Sequence, residues 1–151
     1  KGIFTEFEAS IYTSGDDFLT AEIDFWLNPA SIHTGDEKRD EHLKGAEFFD
    51  VLNHKQITFS GNTFLKVDKV NNYELFGNLT MKGITKQIKL HVEFGGVMKD
   101  PMGNQKAGFT IRGVINRNDW NLNWNTALEA GGILVSDEVT ISCEVELIKK
   151  T

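Results

Sequence analysis

Hydrophobic and polar residues alternate along most of this chain, which is the pattern of β-strands that bury one face. Between Val139 and Leu147 every second residue is apolar. The same parity runs from Leu19 to Leu27, with Trp26 as its one exception. Further strands are predicted at 3–12, 57–61, 64–70, 73–81, 86–94 and 106–116. The pattern therefore predicts an all-β protein of about eight strands.

Short turn-forming stretches separate these strands. Turns are predicted at 14–16, 71–72, 82–83 and 100–104, because Gly and Asn tolerate the positive φ that tight hairpins require. Long antiparallel strands joined in this way tend to twist and close, and about eight strands suffice for a barrel that holds one ligand. We therefore predict an antiparallel up-and-down β-barrel.

One segment departs from the alternation. Leu43, Ala46 and Phe49 recur at helical spacing after several acidic residues. This spacing predicts a short helical segment near residues 36–49, which we place across one end of the barrel. Phe48 and Phe49 would anchor it, with Phe49 buried.

Apolar residues that share one parity along the strands are predicted to face the interior of the barrel. Gly77 and Gly113 share that parity and are interpreted as leaving room for a cavity, although inward glycines also occur where strands bend. The presumed inward side chains are Ile23, Phe25, Leu27, Phe59, Leu75, Leu79, Leu90, Val92, Phe94, Phe109 and Ile111.

Composition narrows the class of protein. The chain has 151 residues and reads as a single domain, residues 1–151. Its net charge of −6 and scattered Lys and Arg residues disfavour nucleic acid and anionic membrane surfaces as partners. No apolar run approaches the roughly 20 residues of a membrane span. Cys143 is the only cysteine and is interpreted as a small core residue, and the four histidines lack zinc-ligand spacing, so no metal or cofactor is expected.

Two clusters carry candidate chemistry. Arg39 and Asp40 lie close to His42, but we interpret the first two as tying the helical segment to the barrel through charge-assisted hydrogen bonds. Trp120 and Trp124 alternate with amide side chains. They could pack on an apolar ligand or plug one end of the barrel. No nucleophile elbow, phosphate loop or dinucleotide fingerprint is present, so the chain is not expected to be an enzyme.

The segment 31–51 resembles the YceI-like family of bacterial proteins. It contains Arg39-Asp40-Glu41-His42-Leu43 followed by Phe48-Phe49-Asp50. Further similar stretches occur in the family's order at 57–59, 77–86, 107–109, 115–119 and 137–139, so the resemblance covers nearly the whole chain. It implies a lipocalin-like barrel of eight strands with a hydrophobic tunnel for a polyisoprenoid lipid, such as a polyprenyl quinone.

The chain departs from the family at two informative places. The family's first segment, before Gly2, is absent, so the last strand is expected to keep an open edge unless the barrel closes in another way. Trp120 stands where the family has a smaller aromatic residue and is expected to narrow one end of the tunnel.

The resulting hypothesis is the binding, transport or sequestration of an isoprenoid lipid. Two alternatives stay open: an enzyme that acts on the bound lipid with His42 and Arg39 as polar participants, or a stress-response interaction module with a packed barrel. His42 could be a partly buried histidine or contact a lipid headgroup. The predicted ligand-binding residues are Ile23, Phe25, Leu27, His42, Phe49, Phe59, Leu75, Leu79, Leu90, Val92, Phe109, Ile111, Trp120 and Trp124.

Partners and location are expectations of the same kind. The expected partner is an apolar small molecule, with a homodimer left open. The resemblance favours the periplasm, and a chain that begins at Lys1 is compatible with a removed signal peptide. A cytoplasmic location is the alternative.

Overall fold

A computed structural model of the chain describes residues 1–125 and 135–150. One α-helix, two short 3-10 helices and nine strands are found in these residues. In chain order the elements are β1 (Ile3–Phe4), β2 (Phe7–Ser14), β3 (Asp17–Leu27), a 3-10 helix (Pro29–Ser31), β4 (Ile32–His33), α1 (Glu37–Lys44), β5 (Ile57–Lys66), β6 (Asn72–Met81), β7 (Ile84–Lys99), β8 (Gln105–Asn116), a second 3-10 helix (Arg117–Trp120) and β9 (Glu138–Ile148).

Seven of the strands form one curled antiparallel sheet in the order β2-β3-β5-β6-β7-β8-β9, while β1 pairs only with β4. Within the described ranges no ladder joins the edge strands β2 and β9. The all-β antiparallel prediction is confirmed, but the sheet is a half-barrel of seven strands rather than a closed barrel of eight. The predicted strand 3–12 is interrupted because the amides of Thr5 and Glu6 donate to the Ser31 hydroxyl, each at 3.1 Å.

A β-bulge explains a second difference. The predicted strands 57–61 and 64–70 are largely one strand, β5, in which Gly61 pairs with Gly77 and Thr63 pairs with Phe76. Asn62 is the extra residue of the bulge. It breaks the alternation of the sequence without ending the strand, which is why the pattern suggested two strands.

Three of the four predicted hairpin turns agree with the structure, whereas the turn predicted at 71–72 lies at 67–71, because Asn72 is already the first residue of β6. The predicted turn at Lys82 and Gly83 joins β6 to β7, and these residues have φ values of 49° and 74°. The turns at 14–16 and 100–104 likewise join β2 to β3 and β7 to β8. Each joins two antiparallel neighbours directly, so the order of these strands in the sheet follows the order of the chain.

The helix is shorter than predicted. Asp36 caps its N-terminus by accepting hydrogen bonds from the amides of Lys38 and Arg39 at 3.0 and 3.1 Å. The helix ends at Lys44, and turns replace the predicted continuation to residue 49. No helix in the described residues is long and apolar enough to cross a membrane.

Phe48, rather than Phe49, is the fully buried anchor after the helix. Phe48 joins the main core, whereas Phe49 is half-buried with its ring edge-on to Phe4 at 5.7 Å. The chain forms turns rather than helix after Lys44, so the helical spacing that predicted Phe49 as the buried anchor does not apply there. The core contains Phe48, Ile57, Phe59, Phe64, Leu75, Leu79, Met81, Leu90, Val92, Trp120 and Leu122.

The inward glycines do not leave the room that their position suggested. The Phe59 ring lies over Gly61 and Gly77, so closely that a Cβ on Gly77 would come within 2.7 Å of the Cε2 atom of Phe59. The Leu90 side chain occupies the equivalent space over Gly113. The middle of the half-barrel is therefore packed by the protein's own side chains.

Candidate functional site

The apolar side chains on the concave face of the half-barrel are buried to different extents on the middle and outer strands. Its middle strands, β5 to β7, carry buried apolar side chains such as Leu75 and Val92, each 2% exposed. The outer strands carry apolar side chains of the same face that are only half-buried. We call this surface the concave groove, formed by Ile11, Ile23, Phe25, Phe109, Ile111, Cys143 and Val145.

Strand register makes each wall of the concave groove continuous. Ile11 pairs with Ile23 across β2 and β3. Ile111 pairs with Cys143 across β8 and β9. Directly opposed residues point to the same face of a sheet. Burial raises the pKa of the Cys143 thiol, which is the response of an ionisable group in apolar surroundings.

The two walls approach each other at the end of the sheet that holds the β2–β3 and β7–β8 turns. The Phe18 ring of β3 lies 5.6 Å from the Phe94 ring and 5.2 Å from the Phe109 ring, on β7 and β8. The ammonium of Lys149 lies 2.8 Å from a carboxylate oxygen of Asp16. These contacts span the mouth of the half-barrel, so the concave groove narrows at this end.

A second aromatic cluster lies at the opposite end, beside α1. The His42 ring is edge-on to Trp124 at 4.5 Å and to Phe48 at 5.3 Å. Its Nε2 lies 2.7 Å from a carboxylate oxygen of Glu47. His42 is therefore half-buried and has a polar partner, the arrangement expected of a partly buried histidine.

Trp120 and Arg117 organise the chain near this cluster. Trp120 is 2% exposed, and its indole N–H donates to the Leu79 carbonyl at 3.0 Å, so it closes the core beneath the rim. The guanidinium of Arg117 donates to the carbonyls of Leu122, Trp124 and Ser136. It thus fixes the backbone on either side of the span 126–134.

The sequence did not single out Arg117, although the residue is only 3% exposed. A lone arginine directly after a long alternating strand was the available signal, because a buried guanidinium needs several acceptors and irregular backbone supplies them.

Arg39 and Asp40 act locally rather than on the sheet. Asp40 is buried and accepts hydrogen bonds from the Thr34 amide, at 3.0 Å, and from the Thr34 hydroxyl. Arg39 donates to the Thr34 hydroxyl and carbonyl, both at 2.8 Å. The bond from the Thr34 side chain holds the pKa of Asp40 below its ordinary value. The pair therefore fixes α1 to its own entry loop, which corrects the expected tie to the barrel.

The fourteen predicted ligand residues fall into two groups by exposure. The first group is half-buried, so its side chains can still contact a ligand: Ile23, Phe25, Leu27, His42, Phe49, Phe109, Ile111 and Trp124. Those already packed in the core are Phe59, Leu75, Leu79, Leu90, Val92 and Trp120. Sequence reasoning did not include four half-buried residues of this face and its narrow end: Ile11, Phe18, Cys143 and Val145.

Metal-ligating side chains do not converge in the part of the chain that the structure describes. No group of three or more His, Cys, Asp or Glu residues there is placed to hold a metal ion.

Comparison with known proteins agrees with this architecture. A crystal structure of a Campylobacter jejuni YceI protein superposes with a TM-score of 0.85 at 30% identity, covering 100% of this chain and 85% of that one. A polyisoprenoid-binding domain from Saccharophagus degradans shares the fold, with a TM-score of 0.60 at 15% identity over 91% of this chain and 80% of that domain.

Sequence comparison gives the same family. A Staphylococcus aureus UPF0312 protein is 37% identical over 147 residues, which cover 97% of this chain and 82% of that protein. The YceI-like domain matches residues 1–147. A match over nearly the whole chain, together with the shared half-barrel, shows that this protein belongs to the YceI-like family.

Proposed function

We propose that the protein binds a long apolar lipid chain of the isoprenoid type along the concave groove. The observation that carries this proposal is the uneven cover of the concave face. Two facing walls of apolar side chains remain half-buried beside a packed core. Exposed contiguous apolar surface of this kind marks binding sites in soluble proteins.

Burial of a lipid tail in the groove supplies enough free energy for binding. A lipid tail that removes about 400 Å² of apolar surface from water gains roughly 10 kcal/mol before the costs of immobilisation. Apolar walls discriminate weakly, by little more than a methylene group at a time. The length and width of the groove would therefore set the selectivity.

The proposed ligand position differs from a tunnel through the centre of a barrel. Phe59 and Leu90 fill the central space over the inward glycines. The lipid would instead lie between the β2–β3 wall and the β8–β9 wall. The Saccharophagus degradans domain, which shares the fold, is a polyisoprenoid-binding domain and supports this ligand class.

We assign the protein the role of a carrier or store of this lipid, with no reaction of its own. The polar groups near the groove already have structural partners, namely Glu47 for His42 and Thr34 for Arg39. An exported, periplasmic location is part of this proposal, and cell fractionation tests it.

Cys143 supplies a direct test of occupancy because it lies in the groove wall and is the only cysteine. We expect geranylgeraniol to slow the alkylation of Cys143 by a maleimide in a saturable manner. The matched control carries Ser142→Cys with Cys143→Ser, which moves the thiol to an exposed neighbouring position on the other face. Its labelling should not change with lipid. Equal labelling of Cys143 with and without lipid would count against the proposal.

A polar substitution in the groove provides the second test. Ile111→Ser should weaken geranylgeraniol binding at least about tenfold, since a hydroxyl facing the lipid loses its hydrogen bonds to water. Val114→Ser, at a 59% exposed position on the same strand, is the control and should bind like wild type. Lipid affinity is measured by fluorescence titration, with urea unfolding to confirm that both variants are folded.

A further inference from the structure

Trp26 breaks the alternation that runs from Leu19 to Leu27 in β3, and it does not pack against the main core. Its neighbours Phe25 and Leu27 pack against the core, whereas Trp26 is not among the residues that do. It is nevertheless half-buried. A large indole held on the convex face, away from both the core and the concave groove, needs another explanation.

Trp26 lies in a shallow depression of about 430 Å³ on the convex face. Strand register arranges its polar lining in two rows. Glu8 and Thr58 are the direct neighbours of Trp26 on β2 and β5. One step along, Ser10, Asp24 and Ser60 form the next row across the same three strands. Directly opposed residues have Cβ atoms about 4.5–5.5 Å apart, so Glu8 and Thr58 flank the indole, and the second row lies beside it.

The polar groups offer a mixed set of hydrogen bonds. Two carboxylates accept, three hydroxyls both donate and accept, and the amide of Gln56 does both. Within this set the Ser60 hydroxyl donates to a carboxylate oxygen of Asp24 at 3.4 Å. A ligand that uses them all has many groups that both donate and accept, around a flat apolar face that packs on the indole. Sugars have this composition, since a pyranose ring carries C–H groups on its faces and hydroxyls at its edge.

The charged residues that line the depression determine which sugars it would favour. No Lys or Arg lines the depression, and in the described residues neither Glu8 nor Asp24 has a cation within ion-pair distance. The local field therefore attracts cations and repels anions. We propose that the depression around Trp26 is a saccharide-binding site that favours amino and neutral sugars over acidic ones. It lies on the face opposite the concave groove, so its failure would leave the lipid proposal untouched.

The test follows the indole N–H signals by NMR while sugars are added. The chain has three tryptophans, and the signal lost in Trp26→Leu identifies Trp26. The probes are cellotetraose and the fully deacetylated chitosan tetramer, which share a β-1,4 backbone but differ in a hydroxyl or an ammonium group. Both should shift the Trp26 signal saturably, with tighter binding of the chitosan tetramer. Tetragalacturonate should bind at least about tenfold more weakly.

Two variants test whether the sugars bind specifically in the depression around Trp26. Asp24→Asn should reduce the difference in affinity between the chitosan tetramer and cellotetraose. Because Asp24 is exposed, this substitution should leave the protein folded. Glu22→Gln, on the same strand but outside the depression, should change nothing. The proposal is overturned if neither tetramer shifts the Trp26 signal saturably, if tetragalacturonate binds as tightly as cellotetraose, or if Asp24→Asn leaves the preference intact.

Discussion

At the scale of single residues, the interior is shaped by glycines that admit a neighbour's side chain. Gly61 and Gly77 pair across β5 and β6, and the Phe59 ring lies over both. Glycine has no Cβ, so the ring approaches the backbone closely and fills space that a larger residue would occupy. The same positions that suggest a cavity from sequence thus support a packed core.

Gly77→Ala should therefore destabilise the protein by about 1–3 kcal/mol through overpacking. The new Cβ would meet the Phe59 ring and would lie 2.6 Å from the Ser60 carbonyl oxygen. Gly108→Ala is the control, because no atom lies within 4 Å of its Cβ position. Urea unfolding measures both. Equal stability of the two variants would show that Phe59 yields easily.

At the scale of elements, α1 is held by its entry loop more than by an apolar stripe. Its sequence is strongly polar, and Asp40 is its one buried residue. The Thr34 hydroxyl accepts from Arg39 and donates to Asp40, so one side chain links two consecutive helical residues. The position of the helix beside the His42 cluster depends on this link.

Asp40→Asn should reduce stability at neutral pH and much less in acid. The folded-state pKa of Asp40 lies below its ordinary value, chiefly through the Thr34 hydroxyl and with a contribution from nearby His33. Its contribution is therefore present above the unfolded value of about 3.9 and is lost as pH falls through the lower folded value. Urea unfolding across pH measures this. Glu41→Gln, an exposed change on the same helix, should follow the wild-type curve.

At the scale of the whole molecule, contacts at one end bring the outer strands of an open sheet together. Phe18 packs across the concave face on Phe94 and Phe109, and Lys149 reaches Asp16. The exposed ion pair contributes little by itself. The aromatic contacts therefore carry most of the closure at this end.

Phe18→Ala should cost about 2 kcal/mol or more and should speed the alkylation of Cys143 by widening the groove. Leu19→Ala, at the adjacent 46% exposed position, is the control and should have a small effect on both. Urea unfolding and maleimide labelling give the two readings. A loss of stability without faster labelling would mean that Phe18 supports the fold but does not restrict the groove.

Much of this architecture was predictable from the sequence, because alternation and turn residues are local signals. They located the hairpins and the inward parity of β3 and β8. Closure of the sheet depends on contacts between distant strands, which alternation does not encode. The partial exposure of the Ile11 and Cys143 side chains likewise depends on how distant parts of the chain pack. Alternation does not show this. The position of Arg117 directly after β8 was the one signal in the sequence, but its acceptors are backbone carbonyls, which a side-chain pattern does not identify.

The bulge in β5 has a consequence for how this family tolerates insertions and deletions. The pairs Gly61 with Gly77, Thr63 with Phe76 and Phe64 with Leu75 already step evenly along β6, as if Asn62 were absent. Removing Asn62 would let the ladder close without turning Phe64 outward. Removing a residue from a strand that has no such bulge would instead exchange the two faces of the strand beyond that residue. Relatives one residue shorter at this point are thus expected to keep the same core.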